Sequence, residues 1–319
     1  MSASPNRASR DTLPITTTAS GDPRRVGVEV ELGGLPEERV AQAVADTLGG
    51  TAGQAKRGLL VEGTRLGDVQ VYLDSRFLNE AKDGLKGHMR ELAGSVVPIE
   101  IVTEPLEPSD FDPLDDLMDH LRELGATGTT AGVLLGFGVH FNPEVTGETL
   151  DDILPVLTAF ALCEDALRQE AGIDLARRVL PFVDPYPRAL LDALAQGAIS
   201  EMAQLIDIYL AHAASRNYAL DMLALFTHLD YDRVAAVMDM APISGRPTYH
   251  YRLPDCRIDE ADWSLTLEWN RWVRVERIAA DAELLEQLKS GWKKHRAALT
   301  TTRGDWTRES ARMIKDAGL

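Results

Sequence analysis

The sequence predicts an α+β protein built on a mostly antiparallel sheet. Residues 25–145 alternate strand and helix patterns joined by short turns, which favours antiparallel pairing over a doubly wound sheet. Residues 148–240 and 260–315 instead carry apolar spacings of three and four. They read as a helical insert and a helical C-terminus. With 319 residues and 45% hydrophobic content, the chain can bury a large core.

The elements follow in order. The first 24 residues are rich in Ser, Thr, Arg and Pro, lack the apolar run of a secretion signal, and read as a flexible tail. One domain is then expected over 25–319, with the insert at about 148–240. Val26–Leu32 alternates apolar residues with Glu, as a strand with one covered face does. Residues 36–48 have helical spacing and stop at Gly49-Gly50. Residues 59–61 and 69–74 read as strands around a turn-rich 62–68. Residues 97–103 form a strand ended by Pro105, 112–124 a helix before Gly125, and 133–142 a glycine-containing strand. In the insert, helices are expected at 150–171, 189–195, 201–214 and 220–240, with Pro181, Pro185 and Pro187 in a linker. Residues 247–253 return to a strand. The five tryptophans of the C-terminal part read as packing anchors.

The net charge of −17 disfavours binding to nucleic-acid backbones. No apolar run approaches the roughly 18 residues of a membrane helix, so no membrane partner is expected. Cys163 and Cys256 form no CxxC pair, which argues against zinc clusters and disulfide frameworks and suits a reducing cytoplasm.

Carboxylates recur within strands. Glu29 and Glu31, two apart, share one face at roughly 6–7 Å. They are either solvated acids on an open face or a pair that needs a cation. Asp74 ends a second strand. Glu100 interrupts the apolar run Ile99-Glu100-Ile101-Val102, and Glu104 closes it. Hard cations such as Mg²⁺ or Mn²⁺ take such oxygen ligands. Gly136-Phe137-Gly138-Val139-His140-Phe141-Asn142 puts His140 and Asn142 on one face, with glycines that allow close approach to a ligand. His250 and Arg252 share a face in 246–255, where Arg252 could bind an anion or make a surface ion pair. Arg216 opens a helix, where it either meets an anion or caps the helix before it.

In this order, the elements resemble the amidoligase family, which is similar to glutamine synthetase and glutamate–cysteine ligase. The matching residues are Gly27, Glu29 and Glu31; Asp74-Ser75; Glu100 to Pro105; Gly138 and His140; Arg216, Tyr218 and Asp221; and Arg252-Leu253. They cover 25–145 and 215–275. The resemblance implies a curved, mostly antiparallel sheet of the glutamine synthetase-like type. It also implies a ligase that uses ATP and Mg²⁺ (or Mn²⁺) to join a carboxylate to an amine through an acyl phosphate.

On this resemblance Glu29, Glu31, Glu100 and His140 would hold metal, joined by Asp74. Arg252 and Arg216 would contact the phosphoryl group or a substrate carboxylate, and Asn142, Arg257 and Glu104 would line the substrate and nucleotide pocket. Residues 58–68 and 83–94 are the expected closing loops. Two positions depart from the pattern. His250 stands where the related synthetases carry a carboxylate and is expected as an altered metal ligand. Asn142 stands where a second histidine is usual, which changes the substrate contacts. Expected partners are small-molecule or peptide carboxylates and amines, a glutaminase supplying ammonia, and further copies of the chain. A metal-dependent phosphoryl hydrolase and a non-catalytic ligase-fold binding protein are the competing readings.

Overall fold

The computed structural model describes residues 7–73, 98–129, 137–172 and 184–319. The strands are β1 (Val26–Leu32), β2 (Thr51–Gln54), β3 (Leu59–Thr64), β4 (Gly67–Leu73), β5 (Ile99–Thr103) and β6 (Val139–Pro143). They form one open antiparallel sheet in the order β2-β3-β4-β5-β1-β6. Ten α-helices occur among the described residues: α1 (Glu37–Leu48), α2 (Phe111–Glu123), α3 (Leu150–Ala171), α4 (Arg188–Gln196), α5 (Met202–Ala213), α6 (Leu223–Leu229), α7 (Tyr231–Ala235), α8 (Leu265–Ala280), α9 (Ala282–Ala297) and α10 (Arg303–Asp316). The mixed α+β class expected from the sequence is the observed one.

The chain divides into two compact units. The first comprises 1–9, 25–141 and 254–268; the second comprises 10–24, 142–253 and 269–319. Residues 10–24, expected as part of a flexible tail, are thus counted in the second unit, where Leu13 and Arg24 are buried.

In the first unit the period-2 alternation of β1 becomes a two-faced sheet. Val26, Val28, Val30 and Leu32 are buried on one face. Register aligns Val30 with Ile101 and Leu32 with Ile99, and Val71 in turn with Ile101, so the apolar face is continuous. Helix α1 covers β2, β3 and β4 with Val40, Ala43, Val44 and Leu48, and α2 packs on α1. Phe111 of α2 stacks on Phe141 at 5.7 Å. The buried Asp115 of α2 accepts the backbone amides of Leu265 and Thr266 (2.7 and 3.4 Å), capping the start of α8.

The strand pair over 59–74 extends further than expected. β3 and β4 leave only Arg65 and Leu66 between them, so the closing loop expected over 58–68 is a hairpin. Its turn is tied by Glu104, whose carboxylate accepts the Asp68 amide at 3.3 Å. Beyond β6, the amides of Val139 and Cys256 donate to the carbonyls of Pro254 and Phe137, which covers that edge of the sheet. The expected closing loop 83–94 and the residues Asp74, Ser75, Gly136 and Pro181 lie outside the described residues.

The second unit is mainly helical. Helix α3 spans the expected 150–171, and its start is closed by Asp152, which accepts the Thr149 amide at 3.0 Å. The helix expected over 220–240 is instead the two short helices α6 and α7, because Asp230 leaves helical geometry at φ −152° and caps α7 by accepting the Arg233 amide. The strand expected over 247–253 forms only isolated bridges, Thr248 with Glu144 and Tyr251 with Leu220. Pro247 and Pro254 bound this short run and cannot donate to a ladder.

All five tryptophans are buried, as the packing reading requires. Both cysteines are buried free thiols, and burial pushes each thiol's ionisation upward. Among the described residues no helix is long and apolar enough to cross a membrane.

A buried charge pair fixes the second unit. Arg24 and Glu276 meet in a two-pronged contact of 2.7 Å per arm, and Arg24 also donates to the carbonyls of Ile15 and Glu144. Glu276 further accepts the Trp272 indole N–H at 2.8 Å. Removing one partner strands the other charge in a dry environment. Arg24→Ala is therefore expected to lower the stability of this unit by about 3–5 kcal/mol. Urea denaturation followed by tryptophan fluorescence reads the change, since Trp269, Trp272, Trp292 and Trp306 all belong to this unit.

Candidate active site

The polar face of the sheet is built by register. Antiparallel pairing sets Glu31 opposite Glu100 and Glu100 opposite Tyr72, while Glu29 faces Val102. Cross-strand partners share a face, so Glu29, Glu31, Glu100 and Tyr72 all project to the side away from the apolar layer. The sixth strand adds a base. The Glu31 amide donates to the Gly138 carbonyl at 2.9 Å, which brings His140 alongside β1.

The side chains converge. One ligand atom each from Glu29, Glu100 and His140 lie within 4.8 Å of one another. His140 Nδ1 is 3.2 Å from Glu29 Oε2, and His140 Nε2 is 4.0 Å from Glu31 Oε1. The Gly138 amide donates to Glu31 Oε2 at 2.8 Å, fixing one oxygen of that carboxylate. Glu100 is 1% exposed, whereas Glu29 and Glu31 keep partial access to solvent. Two carboxylates and one imidazole at this spacing can hold a divalent cation such as Mg²⁺ or Mn²⁺.

Tyr72 closes the other side of Glu100. It is buried, and its hydroxyl is hydrogen-bonded to the Glu100 carboxylate. Burial first, then the neighbouring charge of Glu100, raises its ionisation well above the ordinary tyrosine range. In the sequence Asp74 is the expected ligand of this run, and Tyr72 is not among the expected site residues. The two are two residues apart, and that period was the signal that could have found it.

The other expected site residues have local partners. Arg257 lies 3.3 Å from Glu260 and 3.6 Å from the buried Glu268, within the first unit. Glu104 serves the hairpin turn described above. Asn142, Arg216, His250 and Arg252 all belong to the second unit. There His250 Nδ1 lies 2.8 Å from Asn142 Oδ1. Arg216 bonds the fully buried Asp221 at 3.1 Å and the Pro242 carbonyl at 2.6 Å, and Arg252 donates to the Arg216 carbonyl. Arg216 thus ties neighbouring loops together. The opening of the sequence motif, Arg216 to Asp221, is itself a hydrogen-bonded pair.

The family model described as "Putative amidoligase enzyme" matches residues 22–274. The chain belongs to the amidoligase family. No curated protein matches it. The family match runs through the helices of 148–210, which carry none of the recognised motifs, and ends before α9 and α10. Membership of this family suggests an enzyme that forms amide bonds.

The raised ionisation of Tyr72 gives a pH test. The unfolded phenol ionises near pH 10 and the folded one above it. The stabilisation is complete below pH 10 and is lost as pH rises toward the folded value. Above pH 10 the wild-type protein should lose up to about 1.4 kcal/mol per pH unit more than Tyr72→Phe. Urea denaturation of both proteins at pH 8 and pH 11 checks this. Equal losses in the two would contradict it.

Proposed function

We propose that this amidoligase joins a carboxylate to an amine at the expense of ATP, with divalent cations held by Glu29, Glu100 and His140. The convergence of those three side chains on one sheet face carries the reading. The antiparallel sheet and the family support a glutamine synthetase-like site on that face.

The residues suit the chemistry. A substrate carboxylate oxygen attacks the γ-phosphorus of ATP, ADP departs, and an acyl phosphate forms. The amine then bonds to the acyl carbon, the C–O bond to phosphate breaks, and the nitrogen loses a proton. Anions meet in the first step, and bound Mg²⁺ or Mn²⁺ supplies the screening. Glu29 and Glu100 give the oxygen ligands. His140 adds a nitrogen ligand, oriented through Nδ1 by Glu29 or by the cation itself. Tyr72 holds Glu100 in one rotamer, as a group behind a metal ligand does. The Gly138 amide leaves one Glu31 oxygen, the one nearer His140 Nε2, to face a second ion or a water.

Phosphate release from ATP should require both a carboxylate and an amine, tested across a panel of amino acids and polyamines with Mg²⁺. Release that needs no amine would identify a phosphoryl hydrolase instead. Glu29→Gln should lower the amine-dependent rate by roughly a hundredfold, because a lost ligand costs at least as much as the group behind it. Its melting temperature should stay near that of the wild type, since Glu29 is partly exposed. An unchanged rate would remove Glu29 from the site.

A further inference from the structure

An arginine lies over the polar face at the edge of the carboxylate cluster. The turn between β2 and β3 places the Arg57 guanidinium 3.6 Å above the centre of the Tyr72 ring. That ring belongs to the residue whose hydroxyl bonds Glu100. Arg57 is exposed, and all of these residues belong to the first unit.

The turn is held firmly for a surface feature. The Ala55 amide donates to the Gly58 carbonyl at 3.1 Å, and Gln70 Nε2 donates to the Arg57 carbonyl at 3.2 Å. Gln70 lies two residues before Tyr72 on the same face of β4. Gly58 sits at φ +66°, and a Cβ there would come within 2.3 Å of the Val71 carbonyl oxygen. Only glycine allows the turn to lie this close to β4. Arg57 is therefore positioned by three independent constraints: the ring, the glutamine and the close approach at Gly58.

A stacked guanidinium uses its flat face on the ring and keeps its N–H groups at the rim. Those N–H groups form a planar fork suited to oxyanions. The adjoining carboxylates, Glu29, Glu31 and Glu100, would repel a polyphosphate unless positive charge were fixed nearby. A cation held by Glu29, Glu100 and His140 supplies part of that charge.

We propose that Arg57 is the phosphate-binding residue of this site, donating to the phosphate chain of the nucleotide beside the metal-held oxygens. The inference rests on the ATP-dependent ligase reading and adds to it a residue that the family motifs do not include. Lysine could supply the charge but not the stacked fork.

The test compares wild type, Arg57→Gln and Arg57→Lys by calorimetric titration of the full chain, first with Mn²⁺ alone and then with Mg-ATP. Arg57→Gln should weaken Mg-ATP binding about tenfold or more while Mn²⁺ affinity stays within about twofold of wild type. Arg57→Lys should recover part of the loss. Equal Mg-ATP affinity in wild type and Arg57→Gln would overturn the role of Arg57 and leave the ligase reading standing. Parallel weakening of Mn²⁺ and Mg-ATP would also overturn it, because Arg57 would then act only by holding Tyr72 and Glu100. Failure of the wild type to bind Mg-ATP would instead remove the ligase reading itself.

Discussion

The pairing of β1 with β5 sets Glu31 against Glu100, and the polar face of the first unit is organised around that register. Acidic residues opposite one another on neighbouring strands repel. A one-residue slip would relieve the repulsion, but it would turn Val26, Val28, Val30 and Leu32 away from the covered side. The apolar layer thus holds the acids together. Their repulsion is accepted because the opposite face of the same strands is buried.

That arrangement leaves negative charge concentrated where water is scarce. Glu100 is almost fully covered, with Tyr72 on one side and Glu29 and His140 on the other. A buried carboxylate is costly unless hydrogen bonds or a cation offset it. The tyrosine hydroxyl and the nearby imidazole are partial answers that also fix geometry. We propose that a divalent ion completes this site, because ligands already gathered lose little entropy on binding it.

Much of this was legible in the sequence, for reasons that can be named. The alternation of β1 announced both faces at once, since every second residue is either Val or Leu or else Gly or Glu. Glu100 stood out because it breaks an aliphatic run, and α3 was readable to the residue because Thr149 and Gly172 mark its ends. Other features were hidden because they depend on partners distant in sequence. Arg24 looked like part of a polar tail until Glu276 met it, 252 residues away. Tyr72 looked like an ordinary strand aromatic until register placed it against Glu100. The run 247–253 has the composition of a strand, yet its backbone hydrogen bonds go in pairs to two separate segments, 143–145 and 219–221, which no local pattern reveals. Arg216 had the look of an anion contact, and the Asp221 that satisfies it was counted as part of the same motif.

We propose that Glu29, Glu100 and His140 form one divalent-cation site that serves ATP. A crystal structure of the full chain grown with Mn²⁺ and a non-hydrolysable ATP analogue tests it most directly. An anomalous manganese peak is expected within bonding distance of all three side chains, with phosphate oxygens completing the coordination. Well-ordered Glu29, Glu100 and His140 with no manganese between them, or an analogue bound elsewhere in the chain, would contradict it.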